Sequence, residues 1–136
     1  LGASAVNMGT RFMASAEAPI HQHVKEQIVA NDERSTVMVF REFRNSARVA
    51  RNSVSEEIRR IGQQPDATFA DVADLASGVR GREAVLGQGD MEGGMWWASQ
   101  AQGLIDEVLT CEEIVHRTVA DAERIIGSEL PALVSR

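Results

Sequence analysis

The chain has 136 residues, with 14 Lys and Arg against 20 Asp and Glu, a formal charge of −6 and 43% hydrophobic residues. That is an ordinary globular balance and excludes a disordered tail, a collagen-like chain and a low-complexity linker. One cysteine, Cys111, excludes an internal disulfide and a thiolate zinc cluster, and favours a reducing, cytoplasmic compartment.

No apolar run approaches the roughly 18 residues of a membrane span. The opening Leu1-Gly2-Ala3 lacks an initiator Met and a basic n-region, so it is not read as a signal peptide; it looks cut from a longer chain. Charge is uneven along the sequence. Residues 34–60 carry seven Arg against three Glu, whereas residues 61–136 carry five Arg against thirteen acids.

Ala3 to Met8 reads as a short buried strand closed by Gly9-Thr10. Pro19 suits the first turn of a helix in which Ile20, Val24 and Ile28 form one apolar stripe, stopped by Asn31-Asp32. Thr36 to Phe40 is β-branched and apolar, a second strand. Asn45 or Ser46 caps a helix expected to run to about Ile61, with Val54, Ile58 and Ile61 on one face. Thr68-x-x-Asp71 resembles a capping box and opens a short helix closed by Ser77-Gly78.

Gly87, Gly89, Gly93 and Gly94 suggest a flexible loop within a loose stretch from Gly78 to Gly94. Met95 to Leu109 reads as a helix with Trp97, Ala101, Leu104, Ile105 and Val108 inward. Thr110-x-x-Glu113 is a second capping box. It opens the clearest amphipathic helix, carrying Ile114, Val115, Val119, Ala122, Ile125 and Ile126 and ended by Gly127 and Pro131. Two isolated strands make a poor sheet, so the first is expected to belong to a sheet with further members elsewhere.

Chemistry points to the turn after the first strand. Backbone N–H groups of Gly9, Thr10 and Arg11 are free at such a turn, Gly9 lets a ligand approach the backbone, and the Thr10 hydroxyl adds a donor. Taken alone, this motif is better explained as an ordinary β–α turn. The wider string changes the balance. "GASAVNMGTRFMAS.EAPIHQHVKEQIV", "ERSTVMVFREFRNSARVARNSVS", "FADVADLASGVRGR" and "GQGDMEGGMWWASQAQGLI" together resemble the C-terminal part of the nitronate monooxygenase (2-nitropropane dioxygenase) family. The resemblance spans about residues 2–126 and is nearest the bacterial FMN-dependent NADH:quinone reductase subgroup, judged from "RNSARVARN" and "SGVRGR".

The resemblance implies an α/β fold: the C-terminal fragment of an FMN-binding (β/α)8 TIM barrel, with its last strand and helix, plus a small mainly helical domain. Residues 1–34 then hold the last strand, the phosphate-binding turn and the following helix. Residues 35–94 form a small strand/helix domain with the Gly-rich loop, and residues 95–136 form C-terminal helices. Met8, Gly9 and Thr10 match the family's "MGT", which holds the FMN phosphate. The partner glycines, the isoalloxazine-contacting residues and the active-site His would lie upstream, so no catalytic residue is assigned here. The missing N-terminal barrel portion is the expected partner.

Trp96 and Gln100 match a family segment near the flavin pocket and are its candidate wall; Trp97 and Ser99 stand where the family usually has Ser and Gly. Cofactors implied are FMN, with NADH or NADPH as hydride donor. Substrates implied are an alkyl nitronate or a quinone, with a flavin-dependent enoyl-ACP reductase relative as an alternative. A non-catalytic, self-associating helical module is the alternative from another class.

The remaining features favour plain roles. His21 and His23 are two apart and do not face each other on a helix, and with no third ligand at useful spacing no metal site is expected. His21 in "PIH" suits a hydrogen bond at a helix start. His116, beside Glu112 and Glu113, reads as exposed, and Cys111 as structural. Arg41, Arg44, Arg48 and Arg51 are spaced 3, 4 and 3 apart and would form one stripe on a helix. Pairing with acids explains them better than nucleic acid does, because the chain is acidic and the aromatics there stop at Phe40 and Phe43.

Overall fold

A computed structural model of the protein describes residues 3–134. Short helices dominate: α1 (Thr10–Met13), α2 (Gln22–Ala30), α3 (Ser53–Gly62), α4 (Gly78–Arg80), α5 (Cys111–Arg124) and α6 (Leu130–Val134). A two-stranded antiparallel sheet, β1 (Thr36–Val39) and β2 (Ala47–Ala50), pairs Thr36 with Ala50 and Val39 with Ala47.

Alternation along this hairpin sorts its side chains between two cores. Val37, Val39, Ala47 and Val49 face a first cluster with Val54 and Ile58 of α3, Val72 and Met95. Ala50 joins a second cluster with Ala14, Val24, Ile28, Val85, Trp96, Ala98 and Ile105. Val24 and Ile28 are fully buried, as their spacing on α2 requires. Each such aliphatic side chain contributes about 1.5–3 kcal/mol.

Several elements differ from the sequence expectation. Residues 3–8 form no strand, because no described strand lies beside them to accept a ladder; residues 3–7 are exposed, Val6 at 76%, and Met8 is half-buried. Residues 47–50, expected in a helix, form β2, and the helix begins only at Asn52. Its side-chain oxygen accepts from the Ser55 N–H at 2.8 Å, while its amide donates to the carbonyls of Met91 and Gly94 at 2.8 and 2.9 Å. Pro19 lies ahead of α2 rather than in its first turn; His21 caps that helix, its Nδ1 accepting from the His23 N–H at 3.2 Å. Lys25 is buried and donates to the Ala16 carbonyl at 2.9 Å.

The expected loose stretch after Gly78 is helical through a π turn, Gly81–Gly87, that buries Val85. Gly81 is needed there, since a Cβ would stand 2.1 Å from the Met95 carbonyl oxygen. Met95 to Leu109 is not a continuous helix. Residues 95–99 are extended, with the Ala50 N–H donating to the Trp96 carbonyl at 3.0 Å, and a 3₁₀ turn follows over Gln100–Leu104. Both capping boxes form around Asp71 and Glu113. Of the apolar residues on α5 only Ile114 is buried, and the helix continues past Gly127 through a π turn, Ile125–Glu129, into α6.

Candidate phosphate-binding turn and its cavity

The turn at Gly9 opens α1 and is held from the far end of the chain. The Ser99 N–H donates to Thr10 Oγ1 at 3.0 Å. Arg11 donates through one guanidinium nitrogen to the carbonyls of Ala14 at 3.0 Å and Glu107 at 2.8 Å. The Ala16 N–H donates to the Leu109 carbonyl at 2.8 Å. Residues 95–109 are anchored in turn by buried Gln102, which accepts from Asn31 Nδ2 and donates to the Asp32 carbonyl, both at 3.2 Å.

Between turn and wall lies an open cavity of about 480 Å³. Met8, Gly9, Thr10 and Arg11 form one side, and Trp97, Ala98, Ser99, Ala101, Leu104 and Ile105 the other. The structure therefore brings the three sequence-predicted phosphate residues to one rim. Trp96 and Gln100 are not in this lining. Trp96 is buried in the second core, and Gln100 is exposed. Trp97, 61% exposed, faces the cavity instead. Helical spacing predicts Trp97 as an inward position; alternation along the extended 95–99 segment is the signal that separates the two tryptophans.

The chemistry of the turn suits an anion. Among the described residues, the backbone N–H groups of Gly9, Thr10 and Arg11 donate to no protein acceptor. A Cβ built on Gly9 meets nothing within 4 Å, so the backbone is open to a close-approaching group. Ser99 occupies one acceptor lone pair of the Thr10 hydroxyl and leaves its O–H free to donate. Arg11 spends one guanidinium nitrogen on carbonyls while its Nε is buried without a partner, and burial lowers its pKa, partly opposed by Asp106 and Glu107. It braces the turn. These groups fit a phosphate, and the apolar wall fits the less polar remainder of a nucleotide.

Elsewhere the described residues hold no group of three His, Cys, Asp or Glu side chains able to bind a metal. His116 lies 4.0 Å from Glu112 on the exposed face of α5. Cys111 donates its N–H to the Glu17 carboxylate at 2.9 and 3.0 Å. No described helix is long and apolar enough to cross a membrane.

The architecture is helix-rich α/β and matches part of a longer solved chain. FabK from Thermotoga maritima superposes with a TM-score of 0.84 at 28% identity, covering 96% of this chain and 40% of that one. A methionine-to-alanine mutant of that FabK gives 0.76 at 28% identity, covering 96% and 38%. The chain thus spans about two fifths of the solved structures it matches. The nitronate monooxygenase family model matches residues 1–121, and the chain belongs to that family.

Proposed function

We propose that this chain supplies part of the FMN phosphate site of a flavin-dependent oxidoreductase of the nitronate monooxygenase or NADH:quinone reductase type. The observation that carries the reading is the row of unpaired N–H groups at Gly9, Thr10 and Arg11 on the rim of an apolar cavity. Family membership supports it.

Gly9, Thr10 and Arg11 hold the phosphate through backbone N–H groups, and the Thr10 hydroxyl donates a further hydrogen bond. Met8 enters the turn from the N-terminal side and lines the cavity. Trp97, Ala101, Leu104 and Ile105 exclude water from the adjoining part of the nucleotide. Bound FMN supplies the redox chemistry, and the protein contributes binding and orientation. The substrate is an alkyl nitronate with dioxygen, or NADH or NADPH with a quinone; enoyl reduction is the competing reaction class. The complete protein should retain FMN through gel filtration and turn over one of these substrate pairs. A flavin-free protein, inactive with added FMN, would overturn the reading.

A second reading rests on the exposed apolar residues of α5, the π turn after it and α6, where Val119, Ile126 and Leu133 are 52%, 66% and 73% exposed. In it the chain is a self-associating helical module without catalysis. Sedimentation as a compact monomer at micromolar concentration would exclude it.

A further inference from the structure

Three members of the arginine stripe meet in one place, though not on a helix. Arg41 follows β1, Arg48 lies on β2 opposite Met38, and Arg51 follows β2. With Arg59 of α3, Thr36 and Gln63, they line a cavity of about 340 Å³ that shares no residue with the one at Gly9. Arg44 falls outside it.

The charges in this cavity are only partly answered. Arg51 and Arg59 both pair with Glu56, and Glu42 lies in the lining. Four guanidiniums thus meet two carboxylates, a surplus of two positive charges. Arg48 donates to the Thr36 hydroxyl at 2.8 Å, and the Arg41 guanidinium has no partner among the described residues. Cations crowded this way repel one another, and a dianion relieves that repulsion.

Arg41 is also held by an unusual backbone. Phe40 and Arg44 have φ of 62° and 56°, in the left-handed region that side chains other than glycine rarely adopt. Packing of Phe40 against Phe43 and Phe69, with ring centroids 6.5 and 5.5 Å away, sustains the strain. The tight turn that results presents Arg41 at the cavity.

We propose that the Arg41–Arg48–Arg51–Arg59 cavity binds the phosphate or diphosphate group of a small molecule. Arg41 and the free nitrogens of Arg48 and Arg59 can meet phosphate oxygens, Arg51 being spent on Glu56 and on the carbonyls of Arg34 and Thr36, and two surplus charges match a dianion. Concavity favours a small ligand over a nucleic acid, and the net charge of −6 repels a long polyanion.

The test is calorimetric titration of the protein with pyrophosphate, phenyl phosphate and a single-stranded oligonucleotide. Saturable one-to-one binding of pyrophosphate or phenyl phosphate is expected, the preferred one telling a free diphosphate from a phosphate monoester. Arg41→Ala, which breaks no hydrogen bond or ion pair among the described residues, should weaken binding about tenfold or more. Arg48→Lys keeps the charge but loses the fork, and should weaken it measurably. Arg60→Ala removes the same charge outside the cavity and should leave affinity within about twofold. No binding at millimolar ligand, equal loss in Arg60→Ala, or tighter binding of the oligonucleotide would overturn the proposal.

Discussion

The Ser99 N–H donates to the Thr10 hydroxyl oxygen at 3.0 Å across 89 residues of sequence. This bond joins the turn at Gly9 to the cavity wall and orients the hydroxyl so that its proton points away from Ser99. Thr10→Val keeps the shape but leaves the Ser99 N–H without an acceptor. The expected cost is about 1–3 kcal/mol in denaturant unfolding, with weaker FMN binding in the complete protein. Thr10→Ser keeps the acceptor and should stay near wild type in both.

Asn52 ties three segments together. It caps α3 and donates to carbonyls of the chain entering the cavity wall, at Met91 and Gly94. Asn52→Ala should lower stability by about 2–4 kcal/mol, since a cap is lost and two carbonyls lose their donor. Asn52→Asp keeps the cap acceptor but sets a carboxylate oxygen against two carbonyl oxygens, so it should be no more stable than Asn52→Ala. Urea midpoints at constant slope read both.

Acid should weaken the fold through its capping carboxylates. Hydrogen bonds from Cys111, Thr68 and Thr110 N–H groups hold Glu17, Asp71 and Glu113 below their ordinary values of 4.5, 3.8 and 4.5. A depressed folded pKa stabilises above the unfolded value and loses that effect as pH falls through the folded one. Urea midpoints should therefore be flat above about pH 5 and decline below about 4.5. Glu113→Gln should make the decline shallower; an unchanged profile would show that this cap carries none of it.

The sequence was most legible where side chains act locally. The boxes at Thr68 and Thr110 and the Val24–Ile28 stripe depend on neighbours within one or two turns, and each forms. Pairing across the chain was not legible. Ala47 to Ala50 has no strong alternation of polarity, and its strand state comes from β1 on one side and Trp96 on the other. Trp97, Ala101 and Leu104 fit a helical period, yet the hydrogen bond to Ala50 keeps residues 95–99 extended. Met8, Gly9 and Thr10 came from a motif and do share a rim. Trp96 and Trp97 exchange expected places because the segment is extended, with a period of two, where its apolar spacing fits a helix.

Gly9 gives the most direct test of the central claim. Its α-carbon faces open space, so a side chain there meets no protein atom within 4 Å at its Cβ. Gly9→Glu should leave folding nearly unchanged while placing a carboxylate where the phosphate is to sit. The decisive measurement is the flavin-to-protein ratio of the purified complete protein. The account predicts near-stoichiometric FMN in wild type and essentially none in folded Gly9→Glu. A folded Gly9→Glu protein that keeps its FMN would contradict it.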